Sequence, residues 1–346
     1  MDVEGRLELI KQVGEEIVTE EELRELLETK EHPVAYDGFE PSGMAHLPFG
    51  VYRAINLKKM IDAGVRFKLL LADWYAWIND KMGGDLEKIR KVGEYFIEVW
   101  KAAGVPMDKV EVLWASEQMD REYWKTVISI AKNHTLRRTV RAMSIAGREG
   151  TMESPTAWAF YPSMQVADIF QLDVDICQLG MDQRRANMLA REIAPRLGRK
   201  KPVAVHHHML MSLRGPRDKK MSKSEPETCI YVHDSEEEIR RKIERAYCPE
   251  RSVQDNPITD YAKHVIFGAF DSMEICRERK YGGDVVYRGF SELERAYVKG
   301  ELHPLDLKRG VADYINRLCA PIRRHFERDK RAQRLYEFVR EQEVTH

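Results

Sequence analysis

Val34-Ala35-Tyr36-Asp37-Gly38-Phe39-Glu40-Pro41-Ser42-Gly43-Met44-Ala45-His46 is the stretch from which the fold is read. Val34-Ala35-Tyr36 predicts a short strand, the Gly/Pro/Ser segment 38–43 a turn, and residues 48–63 a helix. Pro48 is tolerable in the first turn of that helix. In an open α/β sheet a ligand sits beyond the carboxyl ends of the strands, where this turn would lie. Two glycines let the backbone approach a ligand closely. His46, just ahead of a helix N-terminus, can meet a phosphate beside unpaired backbone N–H groups. Taken alone, the stretch also reads as an ordinary Gly-Pro turn.

Working outward, strand-like and helix-like segments alternate. Thr19 with Glu22 forms a capping box ahead of Leu23, Leu26 and Leu27, so a helix starts near 20. Strands are predicted over 65–72, 109–114, 173–179 and 202–210. A helix is predicted over 86–102, with Asp85 as its cap. Such alternation argues for a parallel sheet with crossovers. The character changes near 233. Ser235 and Glu238 form a second capping box, followed by Ile239, Ile243 and Tyr247 at helical spacing. Another helix starts after Pro304, with Val311, Tyr314, Ile315, Leu318 and Ile322 on one face; Pro321 is expected to kink or interrupt it. Little strand signal follows 233. The fold class is therefore α/β: a Rossmann-like, parallel-sheet nucleotide-binding domain over 1–232, then a mostly helical domain over 233–346.

Composition narrows the functional classes. The 346 residues are 43% hydrophobic, enough for a packed core and against disorder. No apolar run approaches the length of a bilayer span. The polar Met1-Asp2-Val3-Glu4 start reads as neither a secretory nor a mitochondrial leader. Five well-separated cysteines fit reduced thiols in the cytoplasm rather than a disulfide frame. The formal net charge is -1, so any nucleic-acid contact has to use local basic patches.

Three further stretches carry chemistry. Lys219-Lys220-Met221-Ser222-Lys223-Ser224 places two lysine ammoniums and two hydroxyls in one polar loop, suited to gripping a triphosphate. Lys/Ser loops are also common and inert. In Tyr161-Pro162-Ser163-Met164-Gln165-Val166-Ala167-Asp168, a helix from about 162 puts Tyr161, Gln165 and Asp168 on one face. That makes a polar patch suited to an amino acid, unless it is simply a solvated stripe. Gly180-Met181-Asp182-Gln183-Arg184-Arg185 follows a strand end and suits a ribose and an amino group. His206-His207-His208 resembles a metal site, but neighbours on a strand alternate faces, so the three cannot share one ion. No resident metal is expected.

With these segments in this order, the chain resembles the tyrosyl-tRNA synthetases, in their compact archaeal and eukaryotic branch without an added C-terminal module. The resemblance runs from about 8 to 330. Its most specific stretches are Tyr36 to Gly43, Tyr161 to Asp168, Asp175 to Gln183 and Lys220 to Ser224. It implies that Tyr36 and Asp168 bind the phenolic hydroxyl of L-tyrosine, and that Tyr161, Gln165 and Gln183 hold its amino group. Gly38, Glu40 and His46 would line the adenylate side, with Gly180 and Asp182 near the ribose. Lys220, Met221, Ser222, Lys223 and Ser224 would form the mobile signature loop on the pyrophosphate. His46, Lys220 and Lys223 are thus the expected catalytic residues. The substrates would be tyrosine, ATP with Mg2+, and tRNA(Tyr).

By the same resemblance Tyr281 and His303 would stack on the first anticodon base, and Asp306 would hydrogen-bond its edge. Arg184, and less directly Arg185, would lie near the acceptor end. Arg137, Arg138 and Arg141 form a separate basic cluster, either a tRNA contact or the edge of a subunit interface. The segment around 110–160 is expected to supply the interface of a homodimer. In one place the chain departs from the family: its His-x-Gly-His signature here reads His46-Leu47-Pro48-Phe49, which puts the ATP contacts of 48 and 49 in question, with Gly50 expected to restore some access. A tryptophan-activating relative is disfavoured because an indole offers no hydroxyl to Tyr36 and Asp168. A catalytically silent tRNA-binding paralogue would fit the changes at 48 and 49, but the intact Lys220 loop and tyrosine set oppose it. A small-molecule adenylyltransferase would share the phosphate chemistry and have no use for Tyr281, His303 and Asp306.

Overall fold

The computed structural model describes residues 1–143, 151, 153–216 and 226–342, with Pro226 and Tyr281 described by backbone only. Six strands form the main sheet: β1 (Glu16–Val18), β2 (Val34–Phe39), β3 (Arg66–Leu71), β4 (Val110–Trp114), β5 (Ile176–Gly180) and β6 (Val203–His207). Their spatial order is β1-β6-β5-β2-β3-β4. All neighbours run parallel except β1, which pairs antiparallel with β6 at the edge. The chain winds from β2 outward to β4, then returns to lay β5 on the other side of β2. The carboxyl ends of β2 and β5 therefore flank the topological switch, where α/β sheets bind ligands.

Alternation along the strands gives each face of the sheet its own core. Ala35, Ile176 and Val205 point into one buried apolar cluster, whereas Tyr36, Cys177 and Leu179 point into the other. The helices Arg53–Asp62 and Leu86–Ala102 cover the first face through Leu57, Met60, Val92 and Trp100. Helices Arg121–Lys132, Tyr161–Gln171 and Arg184–Ile193 cover the second. The predicted caps form. Thr19 accepts from the Glu22 amide, Asp85 from Glu87 and Lys88, and Ser235 with Glu238 closes a full capping box.

The C-terminal part is mostly helical, with Glu236–Arg245, Pro304–Arg328 and Lys330–Gln342 as its main helices. Its buried residues, from Ile239 to Val339, continue the first apolar cluster without a break. Two expectations are corrected here. Pro321 does not interrupt its helix, which runs through it from Pro304 to Arg328; burial of Cys319, Ile322 and Phe326 on one face outweighs the one hydrogen bond that proline removes. Strand structure also exists beyond 233: β7 (Met273–Ile275) and β8 (Val285–Tyr287) form an antiparallel ribbon. Three-residue strands carry too short an alternation to be read from sequence. Among the described residues, no helix is long and apolar enough to cross a membrane.

Candidate active site

A cavity of about 460 Å³ opens at the carboxyl ends of β2 and β5. It is lined by most of the predicted residues: Tyr36, Gly38, Glu40, His46, Tyr161, Gln165, Asp168, Gly180, Asp182 and Gln183. The helix Tyr161–Gln171 supplies three of them, and residues 161–170 are all buried, which rules out a solvated polar stripe. A Cβ built on Gly38 would meet no protein atom closer than 4.0 Å. The absent side chain thus leaves room in the cavity and does not serve packing.

Asp168 is the centre of the deep end. It is 3% exposed, and each of its oxygens accepts a phenolic hydroxyl: Oδ2 from Tyr75 and Oδ1 from Tyr123, the latter at 2.9 Å. Burial drives its acid up to about 7, while the two phenol hydrogen bonds pull the other way. Tyr36 is fully buried and feels the Asp168 charge, so its phenol is held neutral, well above its ordinary range. Its hydroxyl has no hydrogen-bond partner among the described residues. A neutral hydroxyl beside a carboxylate, deep in a dry pocket, is ready for one more hydroxyl.

Closer to the mouth, Tyr161 donates to Glu40 Oε1 at 2.5 Å and Asn79 Nδ2 donates to the same atom at 2.7 Å. Gln165 Nε2 donates to Gln183 Oε1 at 3.1 Å, and Gln183 Nε2 to Asp182 Oδ2 at 3.0 Å. The Gln165 Oε1 atom is buried and without a partner among the described residues. Carbonyl and carboxylate oxygens therefore converge where an ammonium would be satisfied.

The floor rests on a buried ion pair. Arg53 Nε lies 3.0 Å from Asp37 Oδ2, with both side chains at most 5% exposed. Arg53 also donates to Gln178, and its guanidinium stacks over Phe67 at 5.0 Å. Burial lifts the Asp37 acid to about 7 against the pull of Arg53.

The departure at 48 and 49 has a structural explanation. Pro48 opens a single π-helical turn, Pro48–Tyr52, that runs into the helix Arg53–Asp62. Phe49 packs among core rings, with ring centroids 4.1 Å from Phe96, 4.9 Å from Trp100 and 5.3 Å from Phe39, and with Pro48 it also lines the cavity. Gly50 does not restore access as expected: a Cβ there would lie 2.5 Å from Val232 and 3.0 Å from Val99, so the glycine serves close packing. His46 stays at the cavity and takes the Phe49 amide on Nδ1 at 3.2 Å. Phe49→His is therefore expected to cost about 1–3 kcal/mol in a urea transition by burying a polar ring, with no gain in ATP affinity. A lower KM for ATP at unchanged stability would show that position 49, in the cavity wall, contacts the nucleotide.

The three adjacent histidines part company as the strand pleat requires. His206 meets Glu16 at 2.8 Å, His207 meets Gln178 at 3.1 Å, and His208 meets Glu15 at 3.2 Å. Lys220, Met221, Ser222, Lys223 and Ser224 lie outside the described residues, as does the side chain of Tyr281. Arg184 is paired with Glu16 at 2.8 Å. In the C-terminal part, the Gly282-Gly283 turn has both residues at positive φ. Arg277 ties it to the segment ahead of the helix Pro304–Arg328, donating to Gly283 O at 2.9 Å and to Glu301 O at 3.0 Å. His303 is exposed and also caps its helix through the Leu305 amide at 3.2 Å. Sequence reasoning missed Tyr75, Tyr123, Asn79, Arg53 and Arg277; only Tyr75, in the helix Asp73–Ile78 after β3, stood where a strand-end signal marks it.

Comparison with known proteins agrees with this geometry. The model of the class I tRNA synthetases (W and Y) matches residues 28–320. Cytoplasmic tyrosine–tRNA ligase 1 of Arabidopsis thaliana is 47% identical, covering 99% of this chain and 90% of that protein. A tyrosyl-tRNA synthetase structure from Aeropyrum pernix superposes with a TM-score of 0.90 at 44% identity, covering 99% of this chain and 100% of the other. One from Pyrococcus horikoshii, complexed with L-tyrosine, gives 0.91 at 41%, with 99% and 100% covered. With a parallel sheet split at β2, a buried carboxylate at the deep end of its cavity and this likeness over nearly its whole length, the chain belongs to the class I tRNA synthetases, in their tyrosyl branch.

Proposed function

We propose that the cavity activates L-tyrosine with Mg-ATP and passes the tyrosyl group to tRNA(Tyr). The observation that carries this reading is the unpartnered Tyr36 hydroxyl beside Asp168 at the closed end of the cavity. A hydroxyl placed there accepts from Tyr36 and donates to Asp168. Phenylalanine leaves both groups unpaired, and tyrosyl enzymes are themselves the known example of this form of rejection. Indole has no hydroxyl for the pair, which disfavours tryptophan.

The ammonium of the substrate is met by Tyr161, Gln165 and Gln183, with Gly38, Glu40, His46, Gly180 and Asp182 on the nucleotide side. The tyrosine carboxylate attacks the α-phosphorus; the bond to the β-phosphate oxygen breaks and pyrophosphate leaves. Lys220 and Lys223 stabilise the charge that develops on it. A ribose hydroxyl at the 3′ end of the tRNA then attacks the carbonyl carbon, and AMP leaves. No side chain is needed as a nucleophile; orientation and charge placement do the work. Mg2+ enters with ATP as part of the substrate. Residues 1–232 serve activation, and 233–346 read the anticodon through Tyr281, His303 and Asp306. The exposed apolar side chains Ile128, Leu136 and Phe160 support a homodimer contact within 110–160, and the reduced cysteines support a cytoplasmic protein.

The deciding experiment is ATP–pyrophosphate exchange with tyrosine, tryptophan and phenylalanine. Exchange with tyrosine alone is expected; exchange with none, from protein that still binds tRNA, would favour a silent paralogue. His303→Ala is expected to weaken tRNA charging by roughly 1–3 kcal/mol, the scale of one stacked base, with exchange unchanged. Equal loss in both assays would remove His303 from the anticodon site.

A further inference from the structure

Among the described residues, one group of His, Cys, Asp and Glu side chains brings three ligand atoms within 4.8 Å of one another: His208, Asp260 and His264. We propose that these three bind one divalent transition-metal ion of the zinc class, at the seam between the end of β6 and the C-terminal part. The site is separate from the activation cavity. Asp260 lies in the short helix Pro257–Tyr261, and His264 follows one turn later.

The geometry gathers the donor atoms of an ion site at one place. His208 Nε2 is 2.8 Å from Asp260 Oδ1, yet that nitrogen is buried and makes no aligned hydrogen bond. His208 and Asp260 pair directly here, and the same two atoms would turn to a shared ion. His264 Nε2 stands 3.7 Å from the same oxygen. Ligand atoms of a tetrahedral site with bonds of about 2.0–2.1 Å are separated by roughly 3.3 Å, between these two values. Two imidazoles and a carboxylate are the donor set of zinc and its neighbours, not of Mg2+ or Ca2+.

The surrounding shell is in place as well. His208 Nδ1 meets Glu15 at 3.2 Å, which fixes the tautomer with Nε2 free to ligate. The second oxygen of Asp260 accepts the Met211 amide at 2.9 Å. Outer partners of this kind orient metal ligands generally. The His208 and His264 rings stack with centroids 4.1 Å apart and 13° between planes. Two parallel rings cannot both aim an in-plane lone pair at one ion, so loading turns His264 out of the stack. A cavity of about 750 Å³ lined by both histidines gives it room.

The test is a titration of chelator-treated protein with Zn2+ and with Co2+, read by metal content after gel filtration and by the cobalt visible spectrum. A single equivalent of tightly held metal is expected, with the intense bands of low-coordinate cobalt, undisturbed by excess Mg2+. His208→Ala and His264→Ala are expected to abolish it, and Glu15→Gln to weaken it about 10–100-fold. If His264→Ala does not fold, His264→Gln gives the same reading. Absence of binding, or binding unchanged in the histidine variants, overturns the site.

Discussion

Asp168→Ala is expected to lower kcat/KM for tyrosine-dependent pyrophosphate exchange by at least about 10–100-fold. One hydrogen bond to a charged acceptor contributes roughly 1.5–3 kcal/mol, and the substrate hydroxyl loses that bond. Stability falls too, because Tyr75 and Tyr123 both donate to this carboxylate. Each buried phenol left without an acceptor costs about 1–3 kcal/mol. The cluster of Asp168, Tyr75 and Tyr123 therefore predicts a measurable loss in urea. Adding Tyr75→Phe to Asp168→Ala should recover part of the stability and none of the exchange. Near-normal exchange by Asp168→Ala would remove the carboxylate from the tyrosine pocket. An additive double variant would show that Tyr75 and Asp168 are energetically independent.

The same carboxylate predicts a pH dependence. Its acid is raised by burial to about 7 from an ordinary value of 3.8. A raised carboxyl pKa means the folded state holds its proton more tightly than the unfolded state. Stability from this group is therefore greatest below about 4 and declines as pH rises toward 7. Acceptance of the substrate hydroxyl strengthens in the opposite direction, as Asp168 ionises. Exchange kcat/KM should climb to a plateau above about 7, and that limb should disappear in Asp168→Asn. Persistence of the limb would assign it to another group, with Asp37 first in line because its acid is also raised to about 7.

Arg53→Ala is expected to cost about 3–5 kcal/mol of stability, the usual result of orphaning one partner of a buried ion pair. The loss has two parts: Asp37 is left as an uncompensated charge, and Gln178 loses its donor. The pH dependence separates electrostatics from packing. Without Arg53 the Asp37 acid rises further, so the electrostatic part of the deficit is small at pH 5.5, where the acid is protonated in both proteins, and grows as pH rises above about 7. A deficit that does not change with pH would mean that lost packing against Phe67 explains the effect. Because Asp37 and Gly38 form the floor of the cavity, exchange should fall along with stability even under conditions where the variant stays folded.

Much of this molecule is legible in its sequence because much of it is local. Caps at Thr19, Asp85 and Ser235 involve residues two or three positions apart, within the reach of pattern reading. The shared face of Tyr161, Gln165 and Asp168 follows from helical geometry alone, and Gly38 announces close approach by lacking a side chain. The sequence also determines that His207 turns away from His206 and His208, since a pleated strand sends neighbours to opposite faces.

What only the tertiary structure decided is which distant groups meet. Tyr75 and Tyr123 reach Asp168 across 93 and 45 positions, and Arg53 reaches Gln178 across 125. Those distances are closed by the strand order, which places β5 beside β2 after the chain has wound out to β4. Phe49 reads as a damaged nucleotide contact in the sequence, and in the fold it packs in an aromatic core while still lining the cavity. His208 shows no partner in the sequence until the end of β6 brings it to Asp260 and His264. Spacing along a chain encodes helix and strand periodicity. It does not encode which helix covers which strand, because that outcome belongs to the packing of all the apolar faces at once.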